Sequence, residues 1–123
     1  MIAPNIIWPI YTVTLRESVN VENGVPVVVD FEFLATGQAV DDLGKLIDEF
    51  GLVLFSSAKN AEVFLEREAK PEYAIATFTN KNQLISCLQH LMVQRFRLIV
   101  FDRYADGKII PIDNFISMLE RQL

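Results

Sequence analysis

The chain has 123 residues, 51% of them apolar and nine of them Phe, which suits one globular domain with its own core and excludes a disordered chain. Eleven Lys and Arg against sixteen Asp and Glu leave a net charge of -5, the wrong sign for a phosphate backbone, so no nucleic acid is expected as a partner. The single cysteine, Cys87, forms no internal disulfide, and the opening Met1-Ile2-Ala3-Pro4-Asn5 has neither a basic region nor a long apolar span; the expectation is a soluble, cytoplasmic protein without a membrane segment.

From Ile6 to Arg16 the sequence alternates, with Ile7, Tyr11, Val13 and Leu15 on one face and Trp8, Ile10, Thr12, Thr14 and Arg16 on the other, which is strand periodicity. Pro9 removes a ladder donor and places the start of this strand at an edge or bulge. After the turn dipeptide Asn23-Gly24, Val25 to Phe33 reads as a second strand with Val27, Val29, Phe31 and Phe33 in register, so the first third predicts a β-hairpin.

From Ala39 the period becomes helical: Val40, Leu43, Leu46, Ile47 and Phe50 share a face, Asp41 and Asp42 occupy the first turn, and Gly51 is placed to end the helix. Leu52-Val53-Leu54-Phe55 is an all-apolar run of the kind covered on both faces, and Ser56-Ser57 caps a helix from Ala58 to about Glu68. Pro71 precedes a strand at Tyr73 to Phe78, and Thr79 or Asn80 caps a helix from Lys81 to about Phe96 whose stripe is Leu84, Cys87, Leu88, Leu91, Met92 and Arg95. Leu98 to Phe101 is the next buried strand, Tyr104 to Lys108 a turn, Ile109-Ile110 a short return strand, and Asp113 the cap of a last helix carrying Phe115, Ile116 and Leu119. The expectation is a single α/β domain over residues 1–123: a mixed sheet of about five to six strands, an N-terminal antiparallel hairpin followed by β-α units with parallel strands, and about four helices.

In open α/β sheets, ligands sit beyond the carboxyl ends of strands. Here that rule selects Ser56, Ser57, Thr79, Asn80, Asp102 and Arg103, two hydroxyl-rich helix starts beside an arginine that could hold a small anion, with Asp102 as acid, base or metal ligand. Ordinary helix capping accounts for the same residue types. His90 lies off the apolar stripe, where a solvated position is expected, and Cys87 lies on it, as a buried thiol does. Asp41-Asp42, Asp48-Glu49 and Glu66 with Glu68 read as solvated acids rather than metal ligands, and the dispersed glycines form no phosphate loop, so no cofactor and no metal are expected. Arg95, Arg97 and Arg103, around one strand, are the nearest thing to a basic cluster. Trp8, Ile10, Phe31 and Phe33 give the N-terminal hairpin apolar groups on both faces and mark it as the expected interface with a protein partner or a second copy.

Leu54-Phe55-Ser56-Ser57-Ala58-Lys59-Asn60-Ala61-Glu62-Val63-Phe64-Leu65, followed by Phe101-Asp102 and by Gly107-Lys108-Ile109-Ile110-Pro111-Ile112-Asp113-Asn114-Phe115, resembles the pattern of SseB-like N-terminal domains, which are small bacterial α/β modules. The resemblance covers the C-terminal two-thirds, implies a non-catalytic role and carries over no functional residue. Together these readings make the leading expectation a non-enzymatic protein-interaction module that homodimerises through the hairpin. The alternatives are an acidic immunity or antitoxin-like protein binding a basic partner, and a small-anion-binding or hydrolytic site at the strand ends, which requires those polar residues to converge on a cavity.

Overall fold

The computed structural model describes residues 6–40, 43, 45–68, 71–104 and 108–121. Along the chain run β1 (Ile10–Leu15), a 3-10 turn (Arg16–Ser18), β2 (Val19–Glu22), β3 (Val25–Val28), β4 (Thr36–Val40), β5 (Leu46–Leu54), α1 (Ala58–Glu68), β6 (Tyr73–Phe78), α2 (Lys81–Val93), β7 (Leu98–Phe101), β8 (Lys108–Pro111) and α3 (Ile112–Glu120). The strands form two mixed four-stranded sheets, ordered β1-β6-β3-β2 and β4-β5-β7-β8. In each sheet the central pair is parallel and the outer pairs are antiparallel.

The sheets meet at β1. Tyr11 and Phe55 exchange both backbone hydrogen bonds (2.9 and 2.8 Å), and Ala35 donates to Val13 while accepting from Val53. Because β1 runs antiparallel both to β6 and to the end of β5, the strands β5, β6 and β7 all point the same way and finish at one pole. The buried threonines of β1 are satisfied there: Thr12 Oγ1 donates to the Val53 carbonyl (2.7 Å) and Thr14 Oγ1 to that of Phe33 (3.1 Å).

Alternation along the two apolar runs builds a layer on each face. Leu52, Leu54, Ile99 and Phe101 face α2 and α3, packing with Leu84, Leu88, Phe115 and Leu119. Val53, Phe55 and Val100 face α1, packing with Ala61 and Phe64. Both faces of the Leu52–Leu54 end of β5 and of β7 are therefore covered, which is why these two runs carry no polar alternation. No helix of the described residues is long and apolar enough to cross a membrane.

The architecture corrects several expectations. Among the described residues, two sheets with eight strands replace one sheet and three α-helices replace four, because both ends of the expected helix belong to the paired strands β4 (Thr36–Val40) and β5 (Leu46–Leu54). Three of the apolar residues that suggested the helix lie off the core, Leu43, Leu46 and Phe50 being 82%, 58% and 52% exposed, while Ile47 packs at the margin of the α1-side cluster. Gly51, read as a helix terminator, lies inside β5, where a Cβ would sit 2.5 Å from the Leu98 carbonyl oxygen; it is needed for the close approach of β7. Asp41 and Asp42, assigned to that helix, lie outside the described residues, as does most of the Tyr104–Lys108 turn.

Asn23-Gly24 does make a hairpin turn, with both residues at positive φ (+52° and +79°), as a two-residue primed turn requires. It joins β2 to β3, however, and the first strand pairs instead with β6. The strand from Val25 stops at Val28, beyond which Asp30 Oδ1 accepts the Glu32 N–H (2.9 Å) and turns the chain. α2 ends at Val93 rather than near Phe96, leaving Met92 and Arg95 off the core. Asp113 does not cap α3; Pro111 precedes that helix without a side-chain cap, and Asp113 sits in its first turn.

Candidate functional site

At the carboxyl pole, the end of β7 and the start of α1 are held together by one carboxylate. Asp102 is buried and adopts φ +52°, a left-handed conformation that Asp tolerates better than most residues. Its Oδ1 accepts the Ser56 N–H (2.9 Å) and Asn60 Nδ2 (3.0 Å), and its Oδ2 accepts Ser56 Oγ (2.8 Å). Its own N–H donates to the Leu54 carbonyl (2.8 Å). Ser57 Oγ accepts the Asn60 N–H (3.2 Å) and caps α1. A negative charge at a helix N-terminus with three donors converging on it is a stable arrangement in its own right.

Arg103 turns away from this carboxylate. Its guanidinium lies over the Tyr104 ring at 4.8 Å, and that of Arg67 lies over the same ring at 5.0 Å. The Tyr104 hydroxyl donates to Glu68, and this hydrogen bond is the main reason its pKa is raised.

Thr79 and Asn80 belong to the same pole but serve a different helix. Asn80 Oδ1 accepts the Gln83 N–H (3.0 Å), Gln83 Oε1 accepts the Thr79 N–H (3.1 Å), and Gln83 Nε2 donates to the Val28 carbonyl (2.9 Å), so this reciprocal cap ties α2 to β3. Among the described residues no hydrogen bond links it to the Asp102 group. The six polar residues selected from the sequence thus divide into two helix starts and one stacked arginine. Asn60, Tyr104, Arg67 and Glu68 complete these groups; of these, only Asn60, three residues after Ser57, carried a sequence signal, as a capping partner.

The expected apolar interface is rearranged as well. Ile10 is 1% exposed and belongs to the core, so it is removed from any surface. Trp8 and Phe31 are half-buried against the same core, with Phe31 packed between Phe78 and the exposed His90 at ring distances of 6.5 and 6.0 Å. Phe33 is exposed, and so are Ile7, Val21, Val25 and Val29.

A concavity lies at the opposite pole. A cleft of about 390 Å³ opens between the end of α2, the start of β7 and the start of α3; Met92, Phe96, Leu98 and Ile112 give it an apolar lining, and Arg95, Arg97, Glu49 and Asp113 give it charge. It continues over Phe50 and Gln94. None of Ser56, Ser57, Thr79, Asn80, Asp102 and Arg103 lines it. Cys87, on α2, is buried, and desolvation pushes its thiol up to about 12, which makes it a packing residue. No family model matches the chain, and no curated protein matches it either.

Proposed function

We propose that this protein is a non-enzymatic interaction module that associates with a second copy of itself through the β2–β3 hairpin. The observation that carries this reading is the position of Val21. It shares a face of β2 with Val19, which packs on the main core, yet it is 65% exposed. Val29, Val25 and Phe33 add exposed apolar surface nearby in the chain, and β2 is the last strand of its sheet, with its outer edge unpaired. An apolar surface beside an open strand edge suits self-complementary pairing about a two-fold axis.

The polar residues at the carboxyl pole favour this reading over a hydrolytic one, since the Asp102 carboxylate is occupied by Ser56 and Asn60. The resemblance to SseB-like domains points the same way. Light scattering at several concentrations tests the proposal. A dimer that Val21→Lys converts to a folded monomer supports it, whereas a wild-type monomer at high micromolar concentration refutes it.

A further inference from the structure

The cleft at the other pole has an unused strand edge as one wall. β7 pairs with β5 only from Leu52 to Leu54, the register beginning at Ile99, while on its other edge β7 stays with β8, where the Arg97 carbonyl accepts the Ile112 N–H. The N-terminal part of β5, Leu46–Phe50, is paired with β4 on one side and, among the described residues, with no strand on the other. Backbone groups alternate between the two edges of a strand. Val53 donates toward Ala35 on the β4 side, while Leu54 accepts from Asp102 on the β7 side. Stepping by two residues from Leu54 through Leu52 turns the N–H and C=O of Phe50 toward the side β7 has vacated, where Phe50 and Glu49 line the cleft.

The rest of the cleft supplies the chemistry of an occupant. Among the described residues no ion pair or side-chain hydrogen bond engages the guanidinium of Arg95 or Arg97. Asp113 Oδ1 accepts the neighbouring Asn114 N–H at the start of α3, where the helix dipole offsets its charge, leaving Glu49 as the one acid without such compensation. Arg95 is held at φ +74°, as the residue after the α2 cap: its N–H donates to Met92 and that of Phe96 to Leu91, a closure that usually employs glycine. A long cationic side chain thus stands in a conformation that disfavours it, at the mouth of the cleft.

We propose that the cleft receives an extended peptide segment of alternating apolar and acidic residues, which adds as a strand to the free edge of β5. Its backbone bonds to the Phe50 edge, its apolar side chains meet Met92, Phe96 and Leu98, and its carboxylates pair with Arg95 and Arg97. This site is independent of the hairpin surface and stands or falls separately from self-association.

The test uses a capped heptapeptide of alternating aspartate and valine, with a control in which lysine replaces aspartate. Each is titrated into the full chain while backbone amide resonances are followed. The acidic peptide is expected to shift the Phe50 amide and slow its hydrogen exchange. Arg95→Gly and Arg97→Ala should each weaken binding about tenfold, the loss of one charge-assisted contact. Arg95→Gly should also hold or raise the melting temperature, since glycine suits its backbone, so its lost affinity cannot be ascribed to unfolding. Equal binding of the lysine peptide, an unmoved Phe50 amide at millimolar acidic peptide, or unchanged affinity in both arginine variants would overturn the proposal.

Discussion

Replacing Asp102 with alanine asks whether the carboxyl-pole polar group is a structural staple. The substitution removes acceptors from the Ser56 N–H, Ser56 Oγ and Asn60 Nδ2. Hydrogen bonds to a charged acceptor contribute about 1.5–3 kcal/mol each when the surviving partner stays buried. Ser56 is exposed and its hydroxyl can turn to water, and Asn60 is half-buried, so the three bonds together are discounted to about 2–3 kcal/mol. Placing alanine at φ +52° adds about 1 kcal/mol. The expected loss is about 3–4 kcal/mol, a large share of a typical domain's total of roughly 5–15 kcal/mol. Asp102→Asn keeps an oxygen acceptor and a residue that tolerates this backbone, and should lose only about 1 kcal/mol with the charge. Asp102→Gly removes the bonds but not the backbone fit and should fall between the two. Urea unfolding followed by circular dichroism measures all three from midpoint and slope. A loss below about 1 kcal/mol for Asp102→Ala, or equal losses for the alanine and asparagine variants, would refute the staple and reopen Asp102 as a free functional carboxylate.

Two further perturbations test the packing. Gly51→Ala places a methyl 2.5 Å from the Leu98 carbonyl oxygen, a backbone atom that cannot swing away, and should destabilise by about 1–3 kcal/mol with chemical-shift changes concentrated at the β5–β7 contact; a neutral effect would mean that β7 does not approach so closely. The Cys87 thiol, raised by burial from an ordinary 9.0 to about 12, should resist an aromatic disulfide reagent at pH 8 until the protein unfolds. Because the unfolded thiol ionises first, this group's contribution is intact below pH 9.0 and is lost as pH rises toward about 12, with a slope of at most about 1.4 kcal/mol per pH unit. Rapid labelling of the native protein would contradict its burial.

Elements whose local signals matched their burial could be read from the chain. Ser57, Asn80 and the apolar positions of α1 and α2 define helices in any context, since caps and a stripe act within a few residues. The β4–β5 hairpin misled because Leu43, Leu46 and Phe50 have helical spacing without being buried, and spacing is informative only when a core imposes it. For the candidate sites the difficulty was distance along a strand. Arg95, Arg97 and Arg103 look like one cluster in sequence, but β7 lies between them and carries Arg103 to the opposite pole from the cleft.

The sequence by itself determined the α/β class, the three α-helices of the described residues, the two doubly covered runs at Leu52–Leu54 and Leu98–Phe101 and the Asn23-Gly24 turn, because each rests on periodicity or on the φ preferences of one or two residues. Tertiary structure alone decided that β1 leaves its sequence neighbour to pair with β6, that Ile10 is core while Val21 is surface, and that β5 outruns β7 to leave an open edge. Those outcomes depend on which strand lies beside which, and strand pairing is a contest between backbones far apart in the chain whose hydrogen-bonding groups are nearly the same at every residue.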